Sequence, residues 1–374
     1  MVNASQRPSL KLELRKRYNL CSYCISRQIT VGKSRWPVGD FDRCHICCGL
    51  MNRLDFIIGR IEETVNEHYE FDTFTIGAIL PPDIYEREDQ IRSRLKIRGK
   101  VSIKTQILNE LRRRFEINTK KKVDLFLPDI TISVDVANGK AVEVTAKART
   151  LSLAGRYIKK QRGLPQKQTR CTQCKGIGCG VCSNSGLIGQ SVEGIIAHQL
   201  VCLTGGKFPR FSWVGSEDHN SLVQGEGRPF FVRLSDPKVR ELKSNLIIDT
   251  PEVYATIDAK PQCVPHSPIR FLTKTKIIVE SANTITENSL EELNLLKNET
   301  VEFQNKNKII TKKIYSVKFS KIKNNQFEIS LLADGGFAIK KFVSGHQNTS
   351  PNVSEILGNK CESILFDITD VQLQ

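Results

Sequence analysis

Residues 213–231, WVGSEDHNSLVQGEGRPFF, set two acids, Glu217 and Asp218, beside His219, with Gly215 before them and Gly225 and Gly227 after. The stretch then runs through Gly-Arg-Pro-Phe into apolar residues. Polar, acid-bearing residues between glycines read as a loop, and the apolar run after Arg228 reads as a strand. A site loop that feeds a strand is therefore predicted here, and the question is what it acts on.

The chain around it is 374 residues long, more than one average core supports, so two or three domains are expected. A composition of 39% hydrophobic and 26% charged residues is that of a folded protein. No apolar run approaches the roughly 20 residues of a membrane helix, and the polar start, MVNASQRPSLKLELRKR, lacks the apolar centre of a signal peptide. A soluble cytoplasmic protein with no membrane partner is the expectation.

Charge narrows the class of partner. Fifty-six Lys and Arg stand against 40 Asp and Glu, a net charge of +16, and the excess is clustered. Arg112, Arg113 and Arg114 lie close to Lys120, Lys121 and Lys122, GRYIKKQR follows, and residues 305–326 hold seven lysines and no acid. A single such run is as readily a solvated face, but several together favour a polyanion, because clustered cations gain affinity by releasing phosphate counterions. Nucleic acid is the predicted partner, with an acidic protein as the alternative.

Twelve cysteines in an intracellular chain call for a reason other than disulfides. CSYC (Cys21, Cys24) and CHICC (Cys44, Cys47) are two pairs separated by about twenty residues, the spacing of a zinc ribbon, with His45 and Cys48 as alternative ligands. CTQCKGIGCGVC (Cys171, Cys174, Cys179, Cys182) forms a second set, whose glycine-rich spacer lets the chain double back. Four thiolates close a coordination sphere and leave no place for water, so one or two structural Zn2+ sites are predicted rather than catalytic ones. Cys202, Cys263 and Cys361 stand alone and read as core residues.

Periodicity then divides the chain. Residues 1–50 read as the zinc ribbon with a basic helical lead-in. Residues 51–150 form a small α+β module. In it SIKTQILNELRRRF places Ile103, Ile107, Leu108 and Leu111 on one helical face, DITISVDV alternates as a strand through Ile130, Ile132, Val134 and Val136, and Asn138-Gly139 marks a hairpin turn. Residues 151–190 are a basic connector with the second cysteine set. Residues 191–374 open with a helix, SVEGIIAHQLVCLT, and continue mostly as strands, including RPFFVRLS, KIIVES, FEISLLA and SILFDI. The fold class is α+β, ending in a mixed domain with an antiparallel sheet.

Several strings in order, AGRYIKKQRGLPQ, CTQCKGIGCGVCSNSG, SVEGII, GSED, GEGRPFFV, SPIRF and GHQNTSPNVSEILG, cover nearly the whole chain. Together they resemble the archaeal tRNA pseudouridine(54/55) synthase family, which modifies T-loop uridines. The resemblance implies an N-terminal zinc-bearing module of the THUMP class, then a pseudouridine synthase catalytic domain. It also implies a monomer that binds the T-arm of tRNA and uses no organic cofactor. In the family a catalytic aspartate breaks the glycosidic bond of a flipped-out uridine, and the base rejoins the ribose through carbon.

Carried over residue by residue, the resemblance puts Arg156, Lys159, Lys160, Arg228 and Arg270 on the substrate side. An ungapped match of Gly215, Glu217, Asp218 and Gly227 through Phe230 sets Asn220 where the family has its catalytic aspartate. Thr275 and Ala338 stand where it has two pocket tyrosines. An amide lacks the full charge that a nucleophile or base must carry. Two readings follow: an active isomerase in which Asp218 substitutes, or a tRNA-binding homologue without chemistry, acting as an RNA chaperone or as partner of an active enzyme. Asp218 also reads as a turn residue bonding its own backbone, His219 as a surface neighbour, and Arg228 as a partner for Asp218 or a phosphate.

Overall fold

A computed structural model of the chain describes residues 7–29, 43–65, 68–136, 141–175, 177, 179–182, 187–265, 268–305 and 308–374, the side chains of residues 7–9, Cys182, Phe208 and Asn305 excepted. The chain divides into two compact units, Met1–Arg149 with Asp236–Arg240, and Thr150–Ser235 with Glu241–Gln374.

The first unit packs helices on a four-stranded sheet. Its longest helix, Ile103–Thr119, buries Ile103, Ile107, Leu111 and Phe115, one side chain per turn. Ser102 caps it by accepting from the Thr105 N–H, and Lys120 ends it in the left-handed conformation at φ 58°. Leu108, expected on the core face, is half-buried. The sheet runs Lys122–Val123, Thr73–Ile79, Ile130–Asp135, Glu143–Ala148, with parallel neighbours until the last, antiparallel pair. Ile130, Ile132 and Val134 are buried and Thr131 and Ser133 exposed, the alternation the sequence shows. The turn at Asn138-Gly139 lies outside the described residues.

No break in packing separates the cysteine-rich start from this module. Leu14, Cys24, Ile46, Met51, Phe74, Phe115 and Ile132 belong to one continuous core. The four segments expected from composition thus fall into two units, 1–50 joining 51–149 and 151–190 joining the rest. The physical link is a buried carboxylate. Glu88 Oε1 accepts from Arg27 Nε at 2.5 Å and from Gln28 Nε2 at 2.8 Å, while its Oε2 accepts the Ile103 N–H at 2.9 Å. Arg27 continues to Gln106 Oε1 at 2.6 Å. One acid therefore ties the short helix Ser22–Gln28 to the N-terminus of Ile103–Thr119, where a negative charge also meets the helix dipole.

The second unit is built on a ten-stranded sheet. Its path is Leu246–Asp249, Val253–Ile257, Leu151–Lys159, Val223–Ser235, Cys361–Leu373, Phe271–Ser281, Gln326–Asp334, Lys308–Lys323, Thr300–Asn305, with Lys207–Trp213 paired beside Val223–Ser235. Neighbours are antiparallel except where Val223 meets Ile368 in parallel, near the middle. That joint separates two cores, one around Leu153, Ile196 and Phe230, the other around Ile277, Phe327 and Phe342. The four predicted strands lie inside these elements, and the predicted helix is Val192–Thr204, capped by Ser191. The lysine-rich residues 305–326 fall largely in Lys308–Lys323, a strand hydrogen-bonded on both sides. Among the described residues no helix is long and apolar enough to cross a membrane.

Because Glu88 is 3% exposed and Arg27 fully buried, cutting their pair strands a charge in the core. Glu88→Ala is expected to destabilise the first unit by about 3–5 kcal/mol in denaturant unfolding. Arg27→Met combined with Glu88→Leu should recover most of that loss, whereas equal losses for the single and double changes would mean that packing, not charge, is what Glu88 supplies.

Candidate active site

Two glycines shape the entry to the strand Val223–Ser235. Its partner Leu151–Lys159 pairs Tyr157 with Arg228 and Lys159 with Val223, so four residues, 224–227, bulge where the partner has one. Gly227, at φ 79°, passes so close that a Cβ would sit 2.7 Å from the Tyr157 carbonyl oxygen, and only glycine fits both demands. Arg156 pins the bulge by donating from Nη1 to the Gly227 carbonyl at 2.7 Å. After it Arg228 turns inward and is 2% exposed.

The acidic loop is held from beneath. Lys159, fully buried, donates from Nζ to the carbonyls of Leu164, Asp218 and His219 at 3.0, 3.1 and 3.1 Å and pairs with Glu217 Oε1 at 3.3 Å. Glu217, also fully buried, accepts from the Tyr157 hydroxyl on Oε2 at 2.8 Å. Gln166 donates to that hydroxyl at 2.9 Å and to the Gly215 carbonyl at 3.3 Å. Burial and the charge of Glu217 push the Tyr157 phenol well above its ordinary range, so it stays a neutral donor. Burial pulls the Lys159 ammonium down, with Glu217 acting in the opposite sense. From outside, Arg162 binds Asp367 through two 2.7 Å bonds and the Asn220 carbonyl at 2.8 Å.

Above this network lies a cavity of about 440 Å³, within the range of small-ligand sites. Asp218, Arg228, Thr275 and Ala338, from three parts of the sequence, all line it. Asn220 is exposed and is not among the lining residues. Asp218 reaches the cavity as the head of a turn: its Oδ1 accepts the Asn220 N–H at 3.0 Å and its carbonyl the Ser221 N–H at 3.0 Å. Its Oδ2 accepts from Lys340 at 2.6 Å. Thr275 and Ala338 offer no ring, but Phe271, Phe337 and Phe366 line the same space.

Other expectations change. Lys159, predicted on the substrate surface, is buried, because the strand alternation that hides Leu151 and Leu153 carries on to Tyr157 and Lys159. Arg228 does not meet Asp218; its closest carboxylate is Glu217, 4.0 Å from Nε. Lys160 is engaged with Asp249 at 2.5 Å, and Arg270 is exposed and outside the cavity lining. His219 lies at the surface, 59% of its side chain exposed. Cys361 is buried as expected, while Cys202 and Cys263 are exposed. Tyr157, Gln166 and Lys340 have no part in the sequence reading, and Glu217, an acid of the predicted site loop, is a buried anchor. The two-residue alternation from Leu151 is the signal for Tyr157, and Lys340 stands two residues after Ala338.

The thiols gather as their spacing predicts. The sulfur atoms of Cys21, Cys24, Cys44 and Cys47, all buried, lie within 4.8 Å of one another, and Cys21 and Cys47 are 3.8 Å apart. Zinc–sulfur bonds of about 2.3 Å give a tetrahedron with edges near 3.8 Å, so the donor set fits a tetrahedral soft metal. Cys47, not Cys48 or His45, completes the set. Cys171, Cys174 and Cys179 form a second group, with Cys171 and Cys179 3.8 Å apart. The side chain of Cys182 lies outside the described residues.

The hydrogen bond from Lys340 and, less, the Asn220 N–H hold the Asp218 carboxyl below its ordinary range. A depressed carboxyl contributes stability that is present above its unfolded pKa of about 3.9 and lost as pH falls through the folded value. In Lys340→Met the Asp218 carboxyl is expected to titrate closer to that ordinary value when followed by carboxyl 13C shifts. An unchanged titration would remove Lys340 as the cause.

The family model described as Pus10, C-terminal matches residues 152–372, the part that carries the cavity, and the model of the archaeal Pus10 THUMP domain matches residues 58–135. The chain is 32% identical to the tRNA pseudouridine synthase Pus10 of Nitrosopumilus maritimus, over 97% of this chain and 97% of that protein. It is 31% identical to the protein of the same name from Cenarchaeum symbiosum, over 96% and 90%, and 30% identical to that of Methanocaldococcus jannaschii, over 88% and 75%. With its THUMP domain and its cavity-bearing unit both matched, and relatives aligned along nearly its whole length, this chain belongs to the Pus10 family.

Proposed function

We propose that this protein is a tRNA pseudouridine synthase that isomerises T-loop uridine, working as a cytoplasmic monomer, with Asp218 as the carboxylate of the reaction. The observation that carries this reading is the place of Asp218: it lines the cavity with Arg228, Thr275 and Ala338, whereas Asn220 does not. The reaction breaks the bond from N1 of uracil to C1′, forms one from C5 to C1′, and moves the C5 proton so that N1 gains one. Atoms and electrons balance without an oxidant or a carrier, which suits a site made of side chains alone. Asp218 stands ionised at the cavity wall as nucleophile or base, Phe271, Phe337 and Phe366 offer faces to a flipped base, and Lys340 and Lys341 offer charge to its phosphates. Zinc in this reading is structural, one ion on Cys21, Cys24, Cys44 and Cys47 and one on Cys171, Cys174, Cys179 and Cys182.

Single-turnover pseudouridine formation on an unmodified tRNA transcript tests the chemistry. The parent protein should turn over, Asp218→Ala should lose about 10²- to 10⁴-fold in rate, and Asn220→Ala should stay within a few-fold of the parent. A parent that binds tRNA but forms no pseudouridine, with Asn220→Asp gaining activity, would make the loop a disabled copy and the protein a tRNA binder. Metal analysis should find two zinc ions per chain. Cys24→Ser should release one of them and lower the melting temperature, since metal binding to a structural site is folding free energy.

A further inference from the structure

Three charged side chains are buried together under the cavity: Lys159 and Glu217, both fully buried, and Arg228, whose side chain is 2% exposed. Two cations thus share one carboxylate. Lys159 places its Nζ 3.3 Å from Glu217 and satisfies itself further on three backbone carbonyls. Arg228 has no such company. Its Nε is 4.0 Å from Glu217, too long for a hydrogen bond, and its buried Nε and Nη1 have no hydrogen-bond partner among the described residues. The other neighbours do not balance it: Tyr157 is a neutral donor to Glu217, and Asp218 spends its two oxygens on Lys340 and the Asn220 N–H. The buried set carries one excess positive charge, on a residue that lines the cavity, and Glu217 Oε1 likewise has no hydrogen-bond partner among the described residues. A buried charge left without a partner is costly in a medium of low dielectric, and an oxyanion with lone pairs in the plane of the guanidinium removes that cost.

We propose that Arg228 is the seat of an oxyanion subsite in the cavity wall, its guanidinium taking an oxygen of one carboxylate or one phosphate group. The subsite stands apart from turnover; only its occupant in the RNA complex rests on the reading above. Two sources share the chemistry, a phosphate of the bound RNA and a small free anion such as acetate.

The test begins without RNA. Thermal unfolding of the zinc-loaded full chain is followed against acetate and inorganic phosphate, at ionic strength held constant with chloride. Both anions should raise the melting temperature saturably in the parent, and Arg228→Gln should abolish the rise. In the parent, the Arg228 Nε–H NMR resonance should move with the same midpoint, which keeps the proposal testable if Arg228→Gln fails to fold. A parent without a saturable rise, a rise that survives in Arg228→Gln, or an Nε–H resonance that does not move overturns it. Acetate then separates the sources: if RNA phosphate takes the subsite, saturating acetate weakens tRNA binding several-fold in the parent and not in Arg228→Gln. If a free anion takes it, tRNA affinity does not change.

Discussion

The pair between Lys159 and Glu217 fixes the position of everything chemical in the second unit. Both partners are fully buried, and the lysine also grips the carbonyls of Asp218 and His219, so a single ammonium sets the path of the acidic loop relative to the strand Leu151–Lys159. Such a pair adds little net stability compared with an apolar substitute, because its desolvation cost is large. What it supplies is position: the Lys159 ammonium bonds the carbonyls of Asp218 and His219 and so holds the turn headed by Asp218 at the cavity wall.

The lower half of the cavity follows from the same pair. Glu217 draws in the Tyr157 hydroxyl, which in turn accepts from Gln166, and Gln166 reaches back to the Gly215 carbonyl where the loop begins. The loop is therefore tied at both ends and its middle. The glycine-bearing bulge before Arg228 then turns the guanidinium under the same loop, close enough that a Cβ on Gly215 would lie 3.4 Å from its Nη1. Residues drawn from two strands and two loops converge because each polar group buried there needs the next.

Much of this could be read from the amino-acid sequence, and the remainder has a physical reason for being hidden. The helix Ile103–Thr119, the strand Ile130–Asp135 and the two thiol groups rest on local spacing, and local spacing survives folding. Lys159 was misplaced because a lysine in a basic string reads as a surface charge, and only the alternation from Leu151 indicates burial. The union of the cysteine-rich start with the following module depends on Arg27 and Glu88, 61 residues apart, a separation over which no periodicity speaks. Asn220 was placed by counting along the chain. The cavity is selected instead by the turn at Asp218, whose geometry is set by a hydrogen bond of two-residue span and by Lys340 from another segment.

The two buried arginines make the contrast that matters for function. Arg27 meets Glu88, Gln106 and the sulfur of Cys24, and Glu88 itself accepts from several donors, so that network is complete and serves as a rigid joint. Arg228 is as deeply buried and lines the cavity, and its Nε and Nη1 have no hydrogen-bond partner among the described residues. Selection for stability alone would fill the position with an apolar side chain or supply a second carboxylate. The proposed oxyanion subsite gives the Arg228 network the acceptor it lacks, as Glu88 gives one to Arg27.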